Sequence, residues 1–109
     1  MSEQRVPVKH YQKLVELFPA TMSALEDLGE QLHKAGPIDE KTAQLIQLAG
    51  AAAIQSEGAV HSHTRRAIQA GASQKEIYHT LLLLTSTIGF PRVNASITWA
   101  QDILSKKDK

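Results

Sequence analysis

Three side chains in one short stretch of the chain could carry acid/base chemistry. Glu57, His61 and His63 lie close together between Ser56 and Ala67. The imidazole of histidine changes its charge near neutral pH, so a histidine can take up and release a proton during a reaction. A nearby carboxylate or second imidazole can assist that transfer. We therefore take His63 as the candidate acid/base, with Glu57 or His61 as its assistant.

The stretch is predicted to be helical, which decides where these side chains point. At about 100° per residue, His63 falls in a stripe of small and apolar side chains, so its ring should face a core or a pocket. Glu57, His61 and Arg65 form a separate column, each four residues from the next. Each candidate also has a structural interpretation. His63 could be a hydrogen-bonded core histidine, Glu57 a charge that suits the first turn, and His61 part of a solvated salt-bridge column.

The two histidines do not predict a metal site. His61 and His63 are two residues apart, so on a helix they point about 200° away from each other. The chain has no cysteine, which excludes disulfides, thiolate metal sites and thiol redox chemistry by this chain. We expect no metal and no cofactor. Arg65 and Arg66 could attract a small anionic substrate, although charges on a helix are commonly just solvated.

The composition is that of one helical, cytoplasmic domain. The chain has 109 residues, 42% of them hydrophobic, and a net charge of +1 with acids and bases interleaved. No basic stripe predicts nucleic acid as a partner, and no apolar run is long enough to span a membrane. The first residues lack the apolar stretch of a signal peptide. We expect one domain over residues 1–109, with a core at about 14–104 and a flexible tail at 105–109.

Apolar periodicity and glycine or proline punctuation predict an all-α fold of about six helices, and nothing predicts a strand. Four consecutive leucines at 81–84 cover every side of the fifth helix, which indicates a subunit interface. The first three helices are expected at about 9–18, from Pro19 to the break at Gly36-Pro37, and at 40–55. The fourth should run from a cap at Ser56 to Gly71, and the fifth from a capping box at Ser73 and Glu76 to Ile88. The sixth should begin after Pro91.

The residues that follow His63 resemble a known family. The string HTRRAIQAGAS at 63–73, followed by Glu76-Ile77, is similar to the core of the carboxymuconolactone decarboxylase / alkylhydroperoxidase D-like (AhpD-like) superfamily. Gly89-Phe90-Pro91 matches its later Gly-x-Pro turn, and residues 38–53 match the helix before its active-site segment. The resemblance covers about 14–104. It implies an all-helical fold that assembles as a homo-oligomer, a trimer or hexamer.

The resemblance also implies what the family holds at the candidate positions. The redox branch, alkylhydroperoxidase D, has Cys-x-x-Cys and then, after three residues, His. Its cysteine positions hold Ser56 and Ala59 here, and its relay glutamate falls near Gln44. A peroxidase of that kind needs a thiolate nucleophile, so we do not expect thiol peroxidase activity. The decarboxylase branch opens lactones without cysteine. Its histidine matches His63, and its glutamate position holds Ala59.

Two functions follow as hypotheses. The first is a decarboxylase- or lactone-type enzyme that transfers a proton on a small carboxylated molecule, with His63 as acid/base and an arginine steering the anion. The second is a non-catalytic oligomeric binding or scaffold protein, in which His63 is satisfied by the backbone and supports only stability or assembly.

Overall fold

The computed structural model of the protein describes residues 8–107, with side chains for 9–105. Every regular element in that range is a helix, so the prediction of an all-α fold is confirmed. None of the helices there combines the length and the apolar character that crossing a bilayer requires. The helices are α1 (Val8–Leu17), α2 (Pro19–Lys34), α3 (Glu40–Ala53), α4 (Glu57–Gln69), α5 (Gln74–Leu82), α6 (Thr85–Ile88) and α7 (Phe90–Lys107).

The described chain forms two compact units that meet in sequence at Asp39 and Glu40. The first unit contains α1 and α2, joined by a hydrogen bond from the Tyr11 hydroxyl to the Glu26 carboxylate. Pro19 stands in the first turn of α2, as predicted, because its missing N–H costs nothing there. None of the α2 side chains is buried, and its leucines are each more than half exposed. Organisation as a single domain stays a prediction.

The second unit is built around one apolar core. Leu48 of α3, Val60 of α4, Ile77 and Leu81 of α5, and Ala100 of α7 are all fully buried in it. The most extensive packing joins α4 to α3, and the next joins α4 to α7. On α7, Val93, Ala100 and Leu104 are buried and Ile97 is half-buried. Helix α4 therefore contacts α3 and α7 over different parts of its surface.

The fifth helix differs from the prediction because it divides in two. Helix α5 ends at Leu82 and a separate four-residue helix begins at Thr85. The Thr85 hydroxyl donates to the carbonyl oxygen of Leu82, a local bond of the kind that competes with a continuing helix. The four leucines consequently do not cover a continuous helix. Leu81 is buried, whereas Leu82 and Leu83 are exposed.

The ends of two helices also differ from the prediction. Helix α3 stops at Ala53 rather than at residue 55, because the chain turns sharply after it. Helix α7 runs on to Lys107, so the described part of the predicted tail is helical. The prediction that residues 108 and 109 fray lies outside the described residues.

The turn between α3 and α4 depends on a glutamine in the left-handed region. Gln55 has φ +56°, a conformation that glycine usually supplies at a helix end. The N–H of Gln55 donates to Ala52 and that of Ser56 donates to Ala51, both at 3.0 Å, which is the Schellman pattern. The Gln55 amide also donates to the carbonyl of Arg92 and to the Ser96 hydroxyl on α7, each at 3.2 Å.

We expect Gln55→Ala to lower the free energy of unfolding by about 1–2 kcal/mol, since it keeps the left-handed backbone and loses the side-chain bonds. Gln55→Gly loses the same bonds but relieves the backbone, so its loss should be smaller. Chemical denaturation measures both values, and Gln69→Ala at the exposed end of α4 is the control. An alanine variant as stable as the glycine variant would contradict the role of the backbone conformation.

The start of α5 is stabilised by the predicted capping box. The Ser73 hydroxyl accepts from the Glu76 N–H at 3.0 Å, and the Glu76 carboxylate accepts from the Ser73 N–H at 2.9 Å. Lys41 of α3 lies 3.1 Å from the same carboxylate. The hydrogen bond from the Ser73 backbone, with that from Lys41, holds the pKa of Glu76 below its ordinary value. Glu76 thereby connects α5 to α3.

The lowered pKa of Glu76 makes stability depend on acid pH. Because the unfolded chain binds the proton more readily, this contribution is present above the carboxyl's ordinary pKa and is lost as the pH falls through the lower, folded-state pKa. We expect the stability of Glu76→Gln to decline less steeply between neutral pH and about pH 3 than that of the wild type. Denaturation at a series of pH values tests this, and parallel curves for the two proteins would count against it.

Candidate functional site

Helix α4 begins where the sequence predicted it to begin. Ser56 has an extended backbone and precedes the helix, and its hydroxyl accepts from the Ala59 N–H at 3.4 Å. This cap satisfies one of the otherwise unpaired N–H groups of the first turn. Glu57 follows in that turn, where its negative charge suits the helix dipole. The cap therefore fixes where α4 begins, and with it the side of the helix on which each later candidate lies.

The buried face of α4 differs from the predicted stripe. The residues buried on this helix are Val60, His61, Thr64 and Ala67. His61 is 4% exposed, so its predicted place in a solvated column was wrong. His63, predicted to lie in the apolar stripe, is half-buried at the edge of the face. The reason is tertiary, because α7 covers the His61 side of α4 and α3 covers the His63 side.

His63 belongs to a chain of hydrogen bonds with α3. Its Nδ1 lies 2.9 Å from Oε1 of Gln44, and Nε2 of Gln44 donates to the Glu40 carboxylate at 2.9 Å. Gln44 itself is buried. A carboxylate only accepts hydrogen bonds, so the amide must turn its NH₂ to Glu40 and its oxygen to His63. Nδ1 of a neutral His63 consequently carries the hydrogen, and Nε2 carries the lone pair.

His61 belongs to a second cluster on the opposite side of α4. Its Nε2 lies 3.0 Å from Oδ2 of Asp102 on α7. Asp102 is about half exposed, with 54% of its side-chain surface accessible. Glu57, one turn before His61 on α4, completes the group, and one potential ligand atom from each of the three side chains lies within 4.8 Å of the others. A buried imidazole is thus placed between two carboxylates that reach solvent.

The structure separates the three predicted site residues into two places. Glu57 and His61 come together with Asp102, whereas His63 lies with Gln44. The expectation that the two histidines diverge is confirmed, because their partners lie on α7 and α3. Sequence reasoning missed Asp102, which is 41 residues beyond His61 and carries no local signal. Gln44 was noted only because it occupies the position of the family's relay glutamate, and that match was the signal by which the sequence could identify it.

Two polar atoms on α4 are buried without a hydrogen-bond partner in the described part of the chain. They are the Thr64 hydroxyl oxygen and one terminal nitrogen of Arg65. Burial, followed by the neighbouring charge of Arg66, lowers the pKa of Arg65, yet a guanidinium stays protonated in proteins. Arg65 therefore keeps its positive charge, and one of its donors is buried without a hydrogen-bond partner among the described residues.

Known proteins show similarity along most of this chain. The model of the carboxymuconolactone decarboxylase family matches residues 19–102, which contain both clusters. The crystal structure of the apo form of a carboxymuconolactone decarboxylase family protein from Legionella pneumophila has a TM-score of 0.80 and 24% identity, over 94% of this chain and 90% of that chain. At that identity the likeness shows a shared fold. No curated protein matches the sequence. Since the family match spans well over half of its length, the chain belongs to the carboxymuconolactone decarboxylase family.

Proposed function

We propose that the protein is an acid/base enzyme acting on a small carboxylated molecule, with His63 transferring the proton. The observation that carries this proposal is the hydrogen-bond chain from Glu40 through Gln44 to His63. An ordered partner on Nδ1 holds the ring in one orientation and one tautomer, which is what a general base requires. Thiol peroxidase activity is not proposed, because the chain has no cysteine.

The chemistry proposed for His63 takes place at Nε2. That nitrogen accepts a proton from a substrate carbon next to a carbonyl, the C–H electron pair moves into an enolate, and the imidazolium returns the proton to the enolate in a later step. The imidazolium formed keeps its Nδ1–H bonded to the Gln44 oxygen, which stabilises the positive charge. Because the partner is an amide instead of the family's carboxylate, it orients the ring without taking the proton itself.

A carboxylated substrate is proposed because of the positive charge on α4. Arg65 has a buried nitrogen that is not hydrogen-bonded within the described chain, and Arg66 follows it directly. Such a charge attracts small anions and favours their binding. The assisting role predicted for Glu57 or His61 stays a prediction, since their functional atoms gather with Asp102 on the α7 side of the helix.

His63→Gln should lower turnover by at least about 100-fold, the usual contribution of a positioned acid/base group. The assay follows deuterium incorporation or product formation by ¹H NMR in D₂O, with a panel of β-keto acids and carboxylated γ-lactones. His79→Gln, an exposed histidine on α5, is the matched control and should keep wild-type turnover. A wild-type protein inactive on the whole panel would contradict the proposal, as would a His63→Gln variant of full activity.

Gln44→Met tests the orientation of the ring separately from its chemistry. The side chain keeps its approximate length but loses the acceptor for the Nδ1–H of His63. We expect turnover to fall by about tenfold or more, less than in His63→Gln, because the imidazole remains but is no longer held in one tautomer. Circular dichroism establishes that the variant is folded. Unchanged turnover would show that the Gln44 contact is structural only.

Assembly into a homo-oligomer is a second proposal, and it would suit either an enzyme or a scaffold. Large apolar side chains remain exposed in the second unit, with Ile54 at 75% and Leu83 at 63%. The leucines of α2 in the first unit are also more than half exposed. Large exposed apolar side chains are costly in water, and where they gather in a patch they typically mark an interaction site. We propose that further copies of the chain cover part of it, as the family resemblance implies for a trimer or hexamer.

Native mass spectrometry of the full chain should therefore show a species larger than the monomer. Leu83→Glu, which places a charge on that apolar surface, should shift the distribution toward smaller species. Lys75→Glu, at an exposed position on α5, is the control for the added negative charge. A wild-type protein that is monomeric at micromolar concentrations would contradict the assembly proposal and leave the His63 proposal standing.

A further inference from the structure

We propose that Glu57, His61 and Asp102 bind a divalent transition-metal ion, Zn²⁺ being the ion of choice, where α4 meets α7. This cluster is separate from the His63 and Gln44 pair and does not depend on the proposed proton transfer. Its three side chains offer one imidazole nitrogen and two carboxylate oxygens, all within 4.8 Å of one another. The sequence alone predicted no metal, because the two histidines diverge on a helix and no cysteine or clustered acidic residue supplements them.

The backbone brings the three side chains to one place. Glu57 and His61 are four residues apart on α4, so their side chains lie on one side of the helix in consecutive turns. Asp102 enters from α7, with Oδ2 3.0 Å from Nε2 of His61. Ligands at about 2.0–2.2 Å from a tetrahedral zinc ion lie roughly 3.3–3.6 Å from each other. The His61 and Asp102 atoms need to separate only slightly to reach that spacing, and Glu57, exposed to solvent, has freedom to close the remaining gap.

The types of the donor atoms select the class of metal. A nitrogen ligand from histidine favours zinc and its first-row neighbours, whereas calcium and magnesium prefer oxygen alone. Two carboxylates and a neutral imidazole carry a charge of −2, which a divalent ion neutralises. Three protein ligands leave a fourth position of the tetrahedron for water, as in zinc sites that are open to substrates.

The burial of His61 is the second observation that points to a ligand. Its side chain is only 6% accessible, yet its Nε2 lies 3.0 Å from Asp102, whose side chain is 54% accessible, and a carboxylate oxygen of the exposed Glu57 is within 4.8 Å of the ligand atoms of both. A hydrogen bond to Asp102 explains one of those carboxylates. The carboxylate of Glu57 places a second negative charge within 4.8 Å of the Asp102 carboxylate. Two negative charges this close repel each other unless a cation lies between them. A metal ion or a protonated imidazole could be that cation, and binding experiments distinguish the two.

One nearby charge opposes the site. Arg65 follows His61 by one turn on the same column of α4, and its positive charge reduces the attraction for a cation. Removing that charge should therefore strengthen binding. Arg65→Gln is expected to raise the affinity for Zn²⁺, in contrast to every substitution of a ligand.

Isothermal titration of the full chain, after treatment with EDTA, measures Zn²⁺ binding directly. We expect one ion per chain, a rise in the melting temperature on adding Zn²⁺, and visible absorption bands when Co²⁺ is used in its place. Glu57→Gln and Asp102→Asn, which preserve side-chain shape, should each weaken Zn²⁺ binding at least tenfold, and the double variant should abolish the Co²⁺ bands.

Two substitutions on α5 serve as matched controls. Glu76→Gln removes a carboxylate and His79→Gln removes a histidine, and neither residue belongs to the cluster, so both should bind Zn²⁺ like the wild type. Circular dichroism of each variant establishes that it is folded. Wild-type protein that binds no Zn²⁺, or a Glu57→Gln/Asp102→Asn double variant that binds it unchanged, overturns the proposal. His61 is then a hydrogen-bonded partner of Asp102 only.

Discussion

The packing of α4 against two different neighbours is the constraint on which both candidate clusters depend. Side chains two positions apart on a helix cannot point the same way, so His61 and His63 need separate partners if both are to leave bulk water. Helix α3 supplies Gln44 to one of them, and α7 supplies Asp102 to the other. The small residues Ala51 and Ala52 of α3 are buried in this packing, where short side chains permit close helix contacts.

The two clusters differ in electrical character, and this difference suggests different uses. Around His63 the contact described is with the neutral amide of Gln44, which is bonded in turn to Glu40. Around His61 the ligand atoms of two carboxylates lie within 4.8 Å. The first arrangement orients an imidazole. The second concentrates negative charge, which suits a cation better than an anionic substrate. A single helix thus separates the two clusters, one proposed for proton transfer and the other proposed for a cation.

Local signals in the sequence predicted local structure well. The Pro19 start of α2, the Ser56 cap of α4 and the Ser73–Glu76 capping box each act through neighbouring backbone groups, and all three are present. Family resemblance identified the position of Gln44. The burial of His61 could not be predicted, because it depends on a helix 41 residues away. The break after Leu82 was missed because a run of leucines indicates a helix but does not show where that helix ends.

The turn at the left-handed Gln55 bears on how the two clusters form during folding. The backbone bonds of this turn to Ala51 and Ala52 are local, whereas its amide reaches the Arg92 carbonyl and the Ser96 hydroxyl on α7. A contact between distant parts of the chain is slow to form because loop closure costs entropy. The corner between α3 and α4 therefore does not depend on α7 for its backbone bonds, and the docking of α7 adds the Gln55 side-chain bonds and brings Asp102 to His61.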